Sequence, residues 1–293
     1  MATHPSHKYE KAFPSWQNAS WRHRDKKEYN VSAPPIPERP PIPGVRHIVA
    51  IASGKGGVGK TTTASNLAVA MAQSGHAVGL MDADIYGPNV PIMMGSKAQP
   101  QMTPEQKIEP LELYGVKMVS LGLIAGDGVP IIWRGPMLAK MVTQFVRDVA
   151  WAPLDCLVID LPPGTGDVQL TLTQSTPLDG AVIVTTPPLV ALEDVRRGVE
   201  MFHTVEVPVL GVIENMSTYI CSKCGTETPI FGQGGGERTA KAYSVPFLGA
   251  IPLHLQVQMG SDTGAPIVAS DPYSPLTKIY RDIADSIWRS LEM

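Results

Sequence analysis

The stretch Gly54-Lys55-Gly56-Gly57-Val58-Gly59-Lys60-Thr61 constrains this chain more than any other, because it satisfies the pattern GxxxxGK[ST] between an apolar run and a helical one. Wrapping a triphosphate in backbone N–H groups requires glycines, which have no Cβ to block close approach and which tolerate positive φ. Gly54, Gly56, Gly57 and Gly59 supply that backbone, and Val58 and Thr62 complete the expected cradle for ATP. Lys60 is expected to reach the β- and γ-phosphates, the Thr61 hydroxyl to ligate Mg²⁺, and the following helix to point its positive end at the anion. The context that the motif needs is present. Residues 47–53 read as a buried strand, and residues 62–74 read as a helix stopped by Gly75.

From Arg46 onward, short apolar runs alternate with helical stretches, which predicts an α/β fold with a mostly parallel, doubly wound sheet flanked by helices. Strands are expected at 47–53, 76–82, 116–121, 155–160, 180–186, 208–214 and 247–251. Ligands of such sheets bind beyond the carboxyl ends of the strands, so the residues that close each run are the candidates for chemistry. The second run closes in Asp82-Ala83-Asp84, and extended geometry would put both carboxylates on one face, one to orient water and the other to bind metal. The fourth closes in Asp160 followed by Leu161-Pro162-Pro163-Gly164. Behind a complete phosphate loop, a carboxylate there is expected to hold the Mg²⁺ shell.

Composition narrows the class. With 293 residues and 43% hydrophobic content, the chain can bury a large α/β core. A net charge of −3 gives no global basic field for nucleic acid or an anionic membrane, so neither is expected as a partner. No apolar run approaches a bilayer span, no signal-peptide core is evident, and three cysteines form no disulfide framework, so a cytoplasmic protein is expected. Residues 1–45 carry most of a basic, proline-rich segment with the tract Pro34-Pro35-Ile36-Pro37-Glu38-Arg39-Pro40-Pro41-Ile42-Pro43, and are expected to form a disordered arm ahead of the domain at 46–293. A transit peptide to the mitochondrial matrix is the alternative reading of that arm. Against it, Glu10, Asp25 and Glu28 interrupt the basic residues.

Cys221-Ser222-Lys223-Cys224 supplies two thiolates, whereas a closed zinc site or an iron–sulfur cluster generally takes four ligands. Cys156 lies inside an apolar strand and reads as a small buried hydrophobe, and His203 and His254 lack ligand-like spacing. A two-fold homodimer completes the count, with two cysteines from each copy at the axis. Thiolates alone do not separate zinc from a [4Fe–4S] cluster, and a redox-active disulfide is a third reading.

The loop with its extra lysine, KGGVGKT, resembles the deviant Walker A (SIMIBI-type) P-loop ATPases of the MinD, ParA and nitrogenase-iron-protein group. That resemblance implies that Lys55 crosses a nucleotide-sandwich dimer to the partner's phosphates. Further blocks narrow it: MDADIYGPN, IIWRGPM, DCLVIDLPPGTGD, TTPPLVALEDVRRG, ENMSTYICSKCG, IFGQGGGE, VPFLGAIPLH and SDTGAPIV. Over residues 45 to 290 the chain resembles the Mrp/ApbC group of iron–sulfur cluster carrier ATPases. The resemblance implies a slow Mg-dependent ATPase that holds a bridging [4Fe–4S] cluster on Cys221 and Cys224, in an insertion at about 215–236, and delivers it to apo-proteins. It also implies that Asn215 and the backbone near Pro252 lie by the adenine and that Asp84, rather than Asp82, positions water. Lys55, Lys60 and Asp84 are then the catalytic set. Ser222, Asn89 and His254 depart from the usual pattern without removing a ligand, and no role is expected for Arg134 beyond a dimer or switch contact.

Two other classes compete. A ParA/MinD-like positioning ATPase would use the same dimer on DNA or membrane, and a client-targeting ATPase would carry a structural zinc at the dimer axis. Leu276, Ile279, Tyr280, Ile283, Ile287, Trp288 and Leu291 recur at helical spacing, but the opposite face mixes Lys278, Arg281 and Arg289 with Asp282, Asp285 and Glu292. A membrane-binding helix would carry a basic polar face, so this one is expected to pack on the sheet.

Overall fold

The computed structural model describes residues 39–84, 87–125, 145–164, 169–170, 173–174, 176–221 and 223–293. The first strand, β1 (Val45–Ala52), is followed by the phosphate loop and α1 (Lys60–Gln73), β2 (Val78–Asp82), α2 (Val90–Met93), β3 (Leu111–Leu113), β4 (Val116–Ser120) and α3 (Leu121–Ala125). The second half runs through β5 (Leu154–Asp160), β6 (Gly180–Thr185), α4 (Leu189–Thr204), β7 (Val209–Ile220), β8 (Glu227–Thr228), α5 (Gly235–Ala242), β9 (Phe247–Leu253), α6 (Leu255–Thr263), α7 (Ile267–Ser270) and α8 (Pro275–Leu291).

Among the described residues nine strands form one sheet in the order β3-β4-β2-β5-β1-β6-β7-β8, with β9 also paired to β7. Of these, only β3 against β4 and β8 against β7 run antiparallel. Buried β-branched and aliphatic side chains on both sheet faces explain why β1, β2, β5 and β6 read as continuous apolar runs, as parallel strands covered by helices do. One face packs Val195, Val199 and Phe202 of α4 and Ala240 of α5 against Ile159, Ile183 and Val212. The other packs Leu67 and Met71 of α1 and Tyr280, Ile283 and Ile287 of α8 against Val158, Val182 and Ile213. The doubly wound architecture follows, and the α8 stripe sits in the core as expected, with Ile279, Trp288 and Leu291 partly buried at its margin.

Several boundaries differ from the sequence reading. Packing starts before residue 46, because Ile42 is buried and the Arg39 guanidinium donates to the carbonyls of Gln174 and Val205 at 3.0 and 2.8 Å. The end of the arm is therefore docked, while residues 1–38 lie outside the described residues. The strand expected at 208–214 continues to Ile220, since β9 pairs with it as far as Tyr219 across a register shift between Asn215 and Tyr219. β3 and β8, three and two residues long, carry too little pattern to be read in advance.

The core role of α8 gives a direct test. Ile287→Ala should lower the unfolding free energy by about 2–4 kcal/mol through lost burial and a residual cavity. Tyr273→Ala, at a side chain that is 96% exposed, should change it by no more than about 0.5 kcal/mol. Denaturant unfolding of both variants checks the pair.

Candidate functional site

The carboxyl ends of the neighbouring strands β2, β5 and β1 lie side by side, and the phosphate loop leaves β1 there. Gly57 and Gly59 take φ of 78° and 80°, a region in which a side chain is strained. A Cβ on Gly59 would collide with the Asn215 amide, and one on Gly54 would collide with Asp194 of α4. Both positions therefore exclude a side chain through packing as well as through approach to phosphate. Val58 is buried, and Thr62 turns its hydroxyl toward Ser261 of α6 (3.3 Å) and the Met93 thioether (3.7 Å), which ties the start of α1 to α2 and α6.

Parallel pairing of β2 with β5 sets Asp82 directly beside Asp160. Lys60 Nζ donates to Asp160 Oδ1 at 2.7 Å, and Thr61 Oγ1 donates to Asp160 Oδ2 at 2.7 Å. Lys60 and Asp160 are 6% and 0% exposed, so this is a buried ion pair. Burial raises the Asp160 carboxyl above its ordinary range, opposed by Lys60 and Thr61. Asp82 accepts from the Asp84 and Val90 N–H groups (3.1 and 3.3 Å) and from the Ser120 hydroxyl (3.0 Å). Burial, then the charge of Asp160, pushes its carboxyl up to about 7. Thr61 and Asp160 present hard oxygen donors side by side at the loop, a donor set that suits Mg²⁺.

The β2 strand ends at Asp82, the Ala83 N–H still donates to the Asp160 carbonyl at 3.0 Å, and the Asp84 N–H donates to the Asp82 carboxylate. Asp82 is locked by three donors, whereas the Asp84 side chain lies beyond the strand end, 9% exposed. Lys55 is half-buried in the loop, its carbonyl accepting from the Ser53 hydroxyl at 3.0 Å. Among the described residues its ammonium makes no ion pair or hydrogen bond.

Asn215, buried on β7, donates from Nδ2 to the Val58 carbonyl at 2.8 Å. Its register partner on β9 is Ile251, one residue before Pro252, so the two residues expected near the adenine sit on adjacent strands beside the loop. Five residues beyond Met216, the same strand delivers Cys221. The hairpin that follows is closed by Cys221 N–H to Thr226 O (3.0 Å), Gly225 N–H to Cys221 O (2.8 Å) and the β7–β8 pairing of Ile220 with Glu227. Cys224 is exposed, its thiol donating to Thr226 Oγ1 at 3.2 Å, and hydrogen bonding with Thr226 and then Cys221 lowers its thiol below the ordinary value. Both are free cysteines, and no group of three or more His, Cys, Asp or Glu among the described residues could complete a metal site in one chain. Cys156 is 0% exposed and remote in role, a packed apolar thiol as expected. Ser222 and Arg134 lie outside the described residues.

Four contacts were not anticipated: Glu214, Ser120, Thr226 and Asp194. Glu214 could have been noticed as an acidic residue inside an apolar strand. The other three carry no sequence signal.

Comparison with known proteins places this geometry. Residues 44–288 match the family described as ParA, NUBPL iron-transfer P-loop NTPase. A Pseudomonas fragi protein named iron-sulfur cluster carrier protein is 48% identical, over 91% of this chain and 94% of its own length. An Arabidopsis thaliana relative, named iron-sulfur protein required for NADH dehydrogenase, mitochondrial, is 48% identical over 85% of this chain and 80% of its own. The structure of an Archaeoglobus fulgidus nucleotide-binding protein in complex with ADP superimposes with a TM-score of 0.70 at 35% identity, covering 80% of this chain and 91% of that one. The chain belongs to the ParA-type family of NUBPL iron-transfer P-loop NTPases.

Proposed function

We propose that this chain is an ATP-hydrolysing carrier that holds a [4Fe–4S] cluster as cargo between two copies and passes it to apo-proteins. The observation that carries the reading is the course of β7, which touches the phosphate loop through Asn215 and six residues later presents Cys221 at an exposed hairpin. Names of relatives in three settings support it: a bacterial cluster carrier, a plant mitochondrial iron–sulfur protein and a mouse iron–sulfur cluster transfer protein. Membership in a P-loop NTPase family supplies the reaction class.

In this reading Lys60 binds the β- and γ-phosphates, which give it anionic partners besides Asp160. Thr61 and Asp160 would hold Mg²⁺, which would supply positive charge beside the phosphates. Lys55 reaches the partner copy's phosphates, and Asp84 orients the attacking water, in a turnover that is slow. Two thiolates from each copy complete the cluster's ligand set, and the exposure of Cys224 leaves the cargo open to transfer. We place the protein in the cytoplasm, with the mitochondrial matrix as the alternative supported by the plant relative's name. No helix among the described residues is long and apolar enough to cross a membrane, and α8 buries its apolar stripe in the core.

Anaerobic reconstitution tests the cargo. One cluster per two chains is expected, with broad visible absorption that Cys221→Ala or Cys224→Ala abolishes while nucleotide affinity stays within about twofold of the cluster-free wild type. Colourless protein holding one zinc per dimer would overturn the reading. Lys60→Ala should lower ATP turnover by at least about 10²-fold and leave cluster loading intact, measured by phosphate release and iron content.

Asp82 adds a pH dependence. Its carboxyl is near 3.8 when unfolded and about 7 when folded, so the folded state holds more protons between those values. Its stabilising contribution is full below the unfolded value and falls as pH rises toward 7. Without nucleotide or Mg²⁺, Asp82→Asn should therefore gain on the wild type as pH rises from about 5 to about 8 in denaturant unfolding. A difference that stays flat with pH would contradict the assignment.

A further inference from the structure

Glu214 is the one acidic side chain buried within the β7 strand, 1% exposed, and the phosphate and metal chemistry described above does not use it. Its two oxygens accept from backbone N–H groups of the glycine-rich segment that opens α5: Gly234 to Oε1 at 3.1 Å and Gly236 to Oε2 at 2.6 Å. A carboxyl at a helix N-terminus that satisfies two otherwise orphaned donors is a strong local anchor. The approach is close, because a Cβ on Gly236 would lie 3.0 Å from the Glu214 Cβ.

What makes the anchor notable is its neighbour. Asn215 holds the Val58 carbonyl of the phosphate loop at 2.8 Å, and Met216 then takes a left-handed φ of 55°, costly for a side-chain-bearing residue. Beyond Met216, β7 climbs to Cys221. The chain turns through Cys224, descends by β8 and Ile230–Gly232, and reaches the glycines that Glu214 holds. The cysteine hairpin is thus gripped at the foot of both arms by consecutive residues of one strand. One grip reaches the phosphate loop and the other the returning arm.

We propose that Glu214 is a positioning residue that, with Asn215, transmits the state of the phosphate loop to the Cys221–Cys224 hairpin. It fixes the returning arm, so that movement of the loop at Val58 rotates the hairpin about Met216 instead of being lost in the glycine segment. This inference rests on the reading that ATP binds at the loop and the cluster at the hairpin, and it deepens that reading by naming the mechanical link.

The test uses the full-length protein without cluster, so that it does not depend on cargo. Cys156 is 0% exposed, so alkylation by iodoacetamide reports on Cys221 and Cys224. With the wild type, Mg²⁺ and a non-hydrolysable ATP analogue should change the alkylation rate by about fivefold or more, the scale of an ordinary coupling between sites. Glu214→Gln, nearly isosteric, should abolish that response while analogue affinity and thermal midpoint stay close to wild type, a pattern that a merely structural role would not give. Gly236→Ala, which presses on the same contact from the other side, should do the same and decides the matter if Glu214→Gln does not fold. A full response in either folded variant, or no response in the wild type, overturns the proposal. Absence of cluster on reconstituted wild type would instead sink the carrier reading, a separate result.

Discussion

The buried pair between Lys60 and Asp160 organises everything at the carboxyl edge of the sheet. Neither charge is tolerable there alone, since removing one partner leaves an uncompensated charge in a site that is closed to water. The pair fixes the first residue of α1 against the last residue of β5, and Thr61 adds a second bond to the same carboxylate. It also explains the perturbed neighbour, because Asp82 pairs in register with Asp160 and cannot readily carry a second negative charge beside it. In the proposed reading a triphosphate and Mg²⁺ would bring charges of both signs to this cluster, and their binding would redistribute contacts that already hold strand ends together.

From that centre, two routes lead outward. One runs through Asp82, at the end of β2, whose carboxylate accepts from the Asp84 N–H just beyond it. The other runs through Val58 and Asn215 into β7, the longest of the described strands, which leads into the hairpin of Cys221 and Cys224. The fold thus joins the phosphate loop to the thiol hairpin through one strand, with the left-handed Met216 between them. A carrier needs such an arrangement, because hydrolysis can act on cargo only through a difference in contacts between two states.

Much of this was legible in the residues. Gly54 to Thr61, Asp160 and the paired cysteines announced themselves through patterns whose chemistry is tied to spacing. The parallel sheet followed from apolar runs such as Leu154–Asp160 and Gly180–Thr185. Continuation of β7 beyond Glu214 was not legible, since polar residues after an apolar run read as a loop, and pairing with β9 resumes only at Tyr219, past a register shift. The bond by which the Asp82 carboxylate takes up the Asp84 N–H at the end of β2 was not legible either, since strand periodicity does not encode such a local side-chain contact. Glu214 was passed over because its partners, the N–H groups of Gly234 and Gly236, are backbone atoms twenty or more residues away.

The central claim is that the phosphate loop and the cysteine hairpin are energetically coupled. It is tested most directly by titrating a non-hydrolysable ATP analogue, with Mg²⁺, into the cluster-loaded and the cluster-free protein by calorimetry. Coupling through β7 predicts dissociation constants that differ by about fivefold or more, with the reciprocal change in cluster affinity that linkage requires. Equal analogue affinity in the two forms would contradict the account.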